Sequence, residues 1–402
     1  MRVAVLSLHT SPLAQPGSSD AGGMNVYVRE LVAGLAHTGA DCTIYVRTWR
    51  DDLPEEVLVE PGVRVVHVPA GEPNLPKERL PEVIDEFTDR LAVRLWSEGA
   101  DVLHANYWLS GVAGHRLKHE LGVPLVCTFH TLARVKAEAG DHEPEGRVRA
   151  EAEIVGCADV VLASCTEEAG QFRRLYGDIP GRIEIVAPGV EHAFFSPGPR
   201  SAARRALGLD PQRPVVLFAG RIQPLKGVDV AVQCMAALDH PTAQLVIVGG
   251  ASGLDGHREL TKVRRMIAAA GLEERVRFFD PQPHHALSSF YRAADVCLVP
   301  SRSESFGLVA LEAAACGTPV VAAAVGGLRT IVDHGRTGFL VEGRDPHAFA
   351  AYTSELLESP LVNATIGSAA ALKARRFTWS AAADRLRGVC DELTADQLVL
   401  CS

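Results

Sequence analysis

Short apolar runs rich in β-branched residues alternate with longer helical stretches along the whole chain. Most of the runs are continuously apolar, which is typical of parallel strands covered on both faces. This alternation predicts the α/β class with doubly wound parallel sheets. In the first half the predicted strands are 2–6, 42–46, 63–68, 102–105, 125–129, 160–163 and 183–186. In the second half they are 215–218, 245–248, 276–279, 296–299, 320–322 and 338–341.

A segment rich in proline and glycine, residues 188–201, interrupts this pattern. This composition predicts a linker. The length of 402 residues favours two domains. We expect an N-terminal Rossmann-like domain at 1–195, a second at 196–375, and a C-terminal helix at 376–402 that packs back onto the first. Ligands of such sheets bind at the carboxyl ends of the strands. Two such domains facing each other would place the site in a central cleft.

Charge and composition exclude several classes of protein. With 47% hydrophobic and 22% charged residues the chain is not disordered. Its net charge of −9 argues against nucleic-acid binding, so an anionic ligand needs local cations. No apolar run reaches 18 residues and no signal peptide opens the chain, so we expect no stable membrane insertion. The nine cysteines lack a metal-binding spacing, which predicts no metal site and a cytoplasmic protein.

Two glycine-containing segments are suited to a phosphate group. Gly22 and Gly23 precede an amphipathic helix, whose free amides attract anions. Arg221 and Lys226 follow the first strand of the second half, and two cations beside a helix start favour a diphosphate. The alternative interpretation is a flexible turn in the first case and solvated surface cations in the second.

A third segment, residues 301–327, carries two carboxylates. Glu304 is predicted in a loop and Glu312 on the helix that begins near Phe306 and Gly307. Carboxylates at this spacing are able to hydrogen-bond sugar hydroxyls. The residues alone also allow the acid/base pair of a glycoside hydrolase, or a helix-start carboxylate plus a surface glutamate.

A fourth group lies in the first half. Tyr107, His130 and Thr131 fall at predicted strand ends, where a ligand would be met. A structural histidine is the alternative for His130, and plain surface charges are the alternative for Lys77 and Arg147.

Together these residues resemble a known family. Arg221, Lys226 and the segment from Glu304 to Glu312, with the GTPVVA and TGFLV runs, resemble the retaining GT-B glycosyltransferases of family 4. Residues 9–28, 104–111 and 130–136 are similar to the D-inositol-3-phosphate glycosyltransferases of the mycothiol pathway. That group transfers N-acetylglucosamine from UDP-N-acetylglucosamine to 1D-myo-inositol 3-phosphate.

The resemblance implies a role for each candidate residue. The implied catalytic residues are Arg221, Lys226, Glu304 and His130. The implied donor-binding residues are Gly22, Gly23, Arg221, Lys226, Glu304, Phe306, Gly307, Leu308 and Glu312. The implied acceptor-binding residues are His9, Asn25, Lys77, Tyr107, Thr131 and Arg147, with Lys77 and Arg147 on the acceptor phosphate. No metal or cofactor is implied, because Arg221 and Lys226 would neutralise the leaving diphosphate of the nucleotide-sugar donor.

Other functions stay open at this point. Similar enzymes glycosylate specialised metabolites such as aminoglycoside-type or lincosamide-type antibiotics, with other donors or acceptors. A GT-B nucleotide-sugar epimerase would share the donor site without an acceptor pocket, and a non-enzymatic regulator would bind without turnover. The expected partners are a small-molecule donor and acceptor, and a homodimer is left open.

Overall fold

The chain forms two compact units. The computed structural model describes residues 1–17, 21–141 and 143–395, so part of the predicted helix 376–402 lies outside the described residues. The first unit contains Met1–Leu13, Tyr27–Gly189 and the C-terminal segment from Trp379. The second contains Ala14–Val26 and Val190–Thr378. Within the described residues, no helix is both long and apolar enough to span a bilayer.

The first unit is built on an eight-stranded sheet in the order β3-β4-β2-β1-β5-β6-β7-β8. All neighbouring strands are parallel except β3 and β4. The strands are β1 Arg2–Leu6, β2 Asp41–Arg47, β3 Glu56–Glu60, β4 Val63–Val68, β5 Val102–Asn106, β6 Leu125–Thr128, β7 Val160–Ala163 and β8 Arg182–Ile185. The central strands are buried along their length, as their continuous apolar runs predict.

The helices of the first unit cover the faces of this sheet. They are α1 Gly23–His37, α2 Ile84–Glu98, α3 Tyr107–Leu121, α4 Ala133–Glu138, α5 Glu145–Val155, α6 Thr166–Tyr176 and α15 Trp379–Leu393, and a 3₁₀ helix at Lys77–Val83 precedes α2. The last helix packs on α1, since a β-carbon added to Gly34 would lie 2.9 Å from that of Ala383. Arg387 donates to the Thr38 carbonyl at the end of α1.

The second unit has a fully parallel six-stranded sheet in the order β11-β10-β9-β12-β13-β14. Its strands are β9 Val215–Ala219, β10 Gln244–Val248, β11 Val276–Phe279, β12 Val296–Val299, β13 Val320–Ala323 and β14 Gly338–Val341. Its helices are α7 Arg200–Ala206, α8 Val228–Ala237, α9 Gly253–Ala269, α10 Leu287–Ala293, α11 Leu308–Ala315, α12 Leu328–Ile331, α13 Pro346–Glu358 and α14 Pro360–Ala374, with 3₁₀ turns at Pro224–Lys226, Glu273–Arg275 and His284–Ala286.

The predicted fold class is confirmed. Both units have Rossmann-like parallel sheets with helices between the strands, and each predicted strand is present within one or two residues. The sequence analysis missed β3, an antiparallel edge strand whose Leu58 is exposed.

Candidate active site

In the second unit, a lysine and a glutamate meet at the carboxyl ends of two neighbouring strands. Lys226 ends the 3₁₀ turn that follows β9, and Glu304 lies in the loop after β12. Lys226 Nζ donates to Glu304 Oε2 at 2.7 Å, and Ser301 Oγ donates to the same oxygen at 3.3 Å. The pair is partly exposed, so both charged groups are held in place while ligand can still reach them.

The glycine pair at the start of α1 lies beside Arg221. A β-carbon added to Gly22 would be 3.1 Å from Arg221 Nε, and one on Gly23 would be 3.4 Å from Leu308 Cδ1. A side chain at Gly22 would therefore push the guanidinium away by a few tenths of an ångström, whereas one at Gly23 would make an ordinary van der Waals contact. Asn25 Oδ1 accepts a hydrogen bond from the Gly22 amide at 2.8 Å. The start of α1 and the guanidinium thus form one local site for an anion.

The loop that carries Glu304 rests on a second pair of glycines. The Gly327 amide donates to the Glu304 carbonyl at 3.0 Å. Gly326 has φ +46°, and a β-carbon there would lie 2.0 Å from the same carbonyl oxygen. Gly307, with φ +102°, is the residue at which the loop turns into α11. The position of the Glu304 carboxylate therefore depends on backbone contacts that exclude side chains.

Glu312 lies on α11, the helix that follows the Glu304 loop, and is buried. Its Oε1 accepts from His284 Nε2 at 2.7 Å and its Oε2 from Tyr291 Oη at 2.8 Å. Burial, with the Glu312 charge adding to it, raises the pKa of Tyr291 well above its ordinary value, so the phenol stays a donor. The interpretation of Glu312 as a surface residue is wrong. Sequence reasoning did not find His284 or Tyr291 as partners.

Phe306 is also buried, and its ring makes an edge contact with Phe377 at 5.7 Å between centroids. Its side chain therefore packs in the interior, and the groups that it could present to a ligand are its backbone N–H and C=O. Leu308 opens α11 directly after Gly307.

In the first unit, two residues with strained backbone follow adjacent strands. Tyr107 after β5 has φ +73° and His130 after β6 has φ +61°. Within the described residues these are the only non-glycine residues with positive φ. Such strain costs about 1–3 kcal/mol and clusters at ligand sites. The His9 ring lies 5.0 Å from that of Tyr107, between centroids.

A buried asparagine holds the His130 ring. The Asn106 amide has Nδ2 toward the His104 carbonyl, 3.5 Å away, and Oδ1 toward His130 Nε2 at 2.9 Å. Burial lowers the pKa of His130 to about 3, with His104 and His9 adding to the effect. His130 is thus a neutral ring at pH 7. Sequence reasoning had not singled out Asn106.

Arg147 is buried rather than a surface charge, with 3% of its side chain exposed. Its Nε donates to Glu151 Oε1 at 2.8 Å, its Nη1 to Tyr107 Oη at 3.2 Å and its Nη2 to Thr131 Oγ1 at 3.0 Å. Glu143 lies 3.1 Å from Nη1. The guanidinium therefore holds two other predicted acceptor residues in place.

The predicted residues thus fall into two groups. The first unit brings together His9, Tyr107, His130, Thr131 and Arg147, and Lys77 is exposed at the start of its 3₁₀ helix. The second unit brings together Gly22, Gly23, Asn25, Arg221, Lys226, Glu304, Phe306, Gly307, Leu308 and Glu312. A cluster with potential metal-ligand atoms, His115, His119 and Cys157, contains none of these residues.

Comparisons with known proteins agree with this architecture. The family model described as "Glycosyl transferase 4-like domain" matches residues 22–189, and "Glycosyl transferases group 1" matches residues 199–373. A D-inositol 3-phosphate glycosyltransferase from Acidothermus cellulolyticus is 46% identical, over 98% of this chain and 91% of its own. The structure of sucrose-phosphate synthase from Thermosynechococcus elongatus is 32% identical with a TM-score of 0.93, over 98% and 99% of the two chains. Anabaena HepE in complex with UDP-glucose is 22% identical with a TM-score of 0.79, over 98% and 100%.

Two Rossmann-like sheets, with charged groups in the loops that follow their strands, define a GT-B glycosyltransferase. Within this class, the chain is 46% identical over nearly its whole length to a D-inositol 3-phosphate glycosyltransferase. The chain belongs to the family 4 glycosyltransferases that include the D-inositol 3-phosphate glycosyltransferases.

Proposed function

We propose that the chain is a retaining glycosyltransferase that moves N-acetylglucosamine from UDP-N-acetylglucosamine to 1D-myo-inositol 3-phosphate. The observation that carries the proposal is the cationic site of the second unit, in which Arg221 lies against the start of α1 and Lys226 is held by Glu304. Further relatives at 44–47% identity share the name D-inositol 3-phosphate glycosyltransferase, which supports the acceptor.

The donor would bind with its diphosphate between the start of α1 and the two cations. The UDP-glucose complex of the Anabaena protein supports a UDP-sugar as the donor class. Glu312 would accept hydrogen bonds from the ribose, since its oxygens keep lone pairs beyond those used by His284 and Tyr291. Glu304 would bind the transferred sugar.

Transfer would proceed without a protein nucleophile. The acceptor hydroxyl attacks the anomeric carbon from the face that the diphosphate leaves, so the anomeric configuration is kept. The new C–O bond forms as the bond to the diphosphate breaks, and a diphosphate oxygen takes the hydroxyl proton. Negative charge grows on the departing group, and Arg221 and Lys226 would stabilise it in place.

His130 would orient the sugar rather than transfer a proton. A ring whose pKa is about 3 is neutral at pH 7 and is a poor general acid. The neutral ring would hydrogen-bond a sugar hydroxyl, with Asn106 holding its orientation.

The acceptor phosphate would be bound by Lys77 and Arg147. Lys77 is exposed, whereas the Arg147 guanidinium is held by Glu151 and Tyr107. The same contacts hold Thr131 and Tyr107 in position for the inositol hydroxyls.

A matrix of donors and acceptors, read by mass spectrometry, tests the proposal. We expect UDP-N-acetylglucosamine with 1D-myo-inositol 3-phosphate to give the highest kcat/KM and unphosphorylated inositol to react at least tenfold more slowly. NMR of the product should give the anomeric configuration of the donor. Lys77→Ala should raise the KM for the acceptor without changing that for the donor, and Arg221→Ala should do the reverse.

Three other results would each favour a different function. A faster reaction with another nucleotide sugar or with an aminoglycoside-type acceptor would favour a specialised-metabolite enzyme. An epimerised sugar formed from donor alone would favour an epimerase. Donor binding without turnover across all acceptors would favour a binding regulator.

A further inference from the structure

A cavity of about 360 Å³ opens at the amino-terminal edge of the second unit's sheet. Among its lining residues, Pro214 precedes β9, Asp295 precedes β12 and Thr318 precedes β13. Arg221 and Glu304 follow the carboxyl ends of the same strands. The cavity therefore lies at the opposite edge of the sheet from the candidate donor site.

Arg292 lines this cavity with a charge that no carboxylate balances. Its Nε donates to the Ser196 carbonyl at 2.7 Å, its Nη1 to Ser288 Oγ at 3.4 Å and its Nη2 to the Phe194 carbonyl. All of these acceptors are neutral. Within the described part of the chain, no carboxylate oxygen comes within 4 Å of this guanidinium.

Two further arginines share a single carboxylate. Arg200 Nη1 donates to Asp295 Oδ1 at 2.8 Å, and Arg204 Nη2 donates to Asp295 Oδ2. The buried Asn363 fixes this arrangement, because its Oδ1 accepts from Arg200 Nη2 at 3.1 Å and its Nδ2 donates to the Asp295 carbonyl at 2.9 Å. Arg200, Arg204 and Arg292 thus bring three positive charges, and Asp295 brings one negative charge. This local excess of positive charge contrasts with the net charge of −9 of the whole chain.

We propose that this cavity is a second ligand site that binds a small organic anion, separate from the donor and acceptor sites. The carboxylate or phosphate of the ligand would lie between Arg292 and Arg200, which are preorganised and carry excess positive charge. Its carbon skeleton would contact the apolar part of the lining, which includes Pro197, Leu356 and Leu357. The volume is at the lower end of the range for small-molecule sites, roughly 300–1,000 Å³.

Thermal-shift titrations of the full chain with citrate and with inorganic phosphate test this site. We expect one or both anions to raise Tm with a saturating, millimolar dependence. The tighter of the two identifies a carboxylate or a phosphate ligand. Arg292→Gln should weaken binding at least tenfold.

A plug variant keeps the test independent of the contacts that Arg292 makes. Ala364 is an exposed lining residue on α14, so Ala364→Phe fills the cavity and leaves the arginines intact. It should abolish the Tm shift and leave glycosyl transfer unchanged, whereas Arg221→Gln should impair transfer and leave the Tm shift unchanged. The inference is overturned if neither anion raises Tm. It is equally overturned if the shift survives Ala364→Phe or disappears in Arg221→Gln.

Discussion

Gly326 tests whether the backbone beneath Glu304 determines the activity. In Gly326→Ala the new β-carbon would lie 2.0 Å from the Glu304 carbonyl oxygen. Carbon and oxygen atoms in ordinary contact are more than 3 Å apart, so the loop must move by roughly 1 Å. This loop carries the carboxylate that pairs with Lys226 at 2.7 Å. A misplacement of about 1 Å costs on the order of 10²-fold in rate, which is about 2.7 kcal/mol in transition-state stabilisation.

A second glycine separates this displacement from simple backbone strain. Gly343 has φ +70° and no atom within 4 Å of its added β-carbon. Gly343→Ala therefore carries the left-handed cost of roughly 1 kcal/mol without a collision. We expect kcat/KM to fall about 10²-fold in Gly326→Ala and to stay within about threefold of wild type in Gly343→Ala.

The assay is release of the nucleoside diphosphate with the best donor and acceptor, on protein shown by circular dichroism to be folded at the assay temperature. A folded Gly326→Ala protein with the same kcat/KM as Gly343→Ala would refute the reasoning, because the loop would then tolerate the displacement.

Three further predictions concern charged and titratable groups. Lys226→Ala should lower kcat by about 10²–10³-fold, because the charge that stabilises the leaving group is lost. The control Lys373→Ala, which removes a surface ion pair with Asp333, should leave kcat unchanged. Equal kcat values for the two variants would refute this prediction. Arg147→Met should lower the free energy of unfolding by about 3–5 kcal/mol in urea titrations, since it leaves the buried Glu151 carboxylate without its cation, although Ala133 and Tyr176 still donate to it. A Glu151→Gln/Arg147→Met double variant should recover part of the loss, and a single-variant loss below about 1 kcal/mol would contradict this prediction. Burial lowers the pKa of His104 to about 4 and that of His130 to about 3, below the unfolded value of about 6.5. The unfolded state therefore binds more protons, and stability falls as pH drops from 6.5 toward 4, with each histidine contributing up to about 1.4 kcal/mol per pH unit. His104→Gln should remove one of these contributions and flatten the dependence, and an unchanged slope would count against this prediction.

The strands were predictable because a strand that is buried on both faces has mostly apolar residues at consecutive positions. Strands β6 and β7 are fully buried, and each is almost entirely apolar. The missed strand β3 differs, since it is at the sheet edge and its residues alternate between partly buried and exposed. Its EVLVE sequence before a Pro-Gly turn was the available signal.

The candidate site was predictable where the chemistry lies in loops that follow strands. Arg221, Lys226 and Glu304 all belong to such loops, whose glycines and charges are visible in sequence. The buried partners were not predictable. Asn106 meets His130 across 24 residues and Tyr291 meets Glu312 across 21, and these distances depend on packing rather than on local pattern.

Arg147 had a local signal that the sequence interpretation did not use. Glutamates stand four residues before and four residues after it, at 143 and 151, and side chains at this spacing meet on a helix. Such a flanked arginine can be buried, because the two carboxylates offset the cost of removing its charge from water. The same contacts fix its geometry before any ligand arrives. Because this side chain is already ordered, it would lose little conformational entropy when a phosphate displaces one of its present partners. Its contacts with Tyr107 and Thr131 also position two other residues proposed for the acceptor.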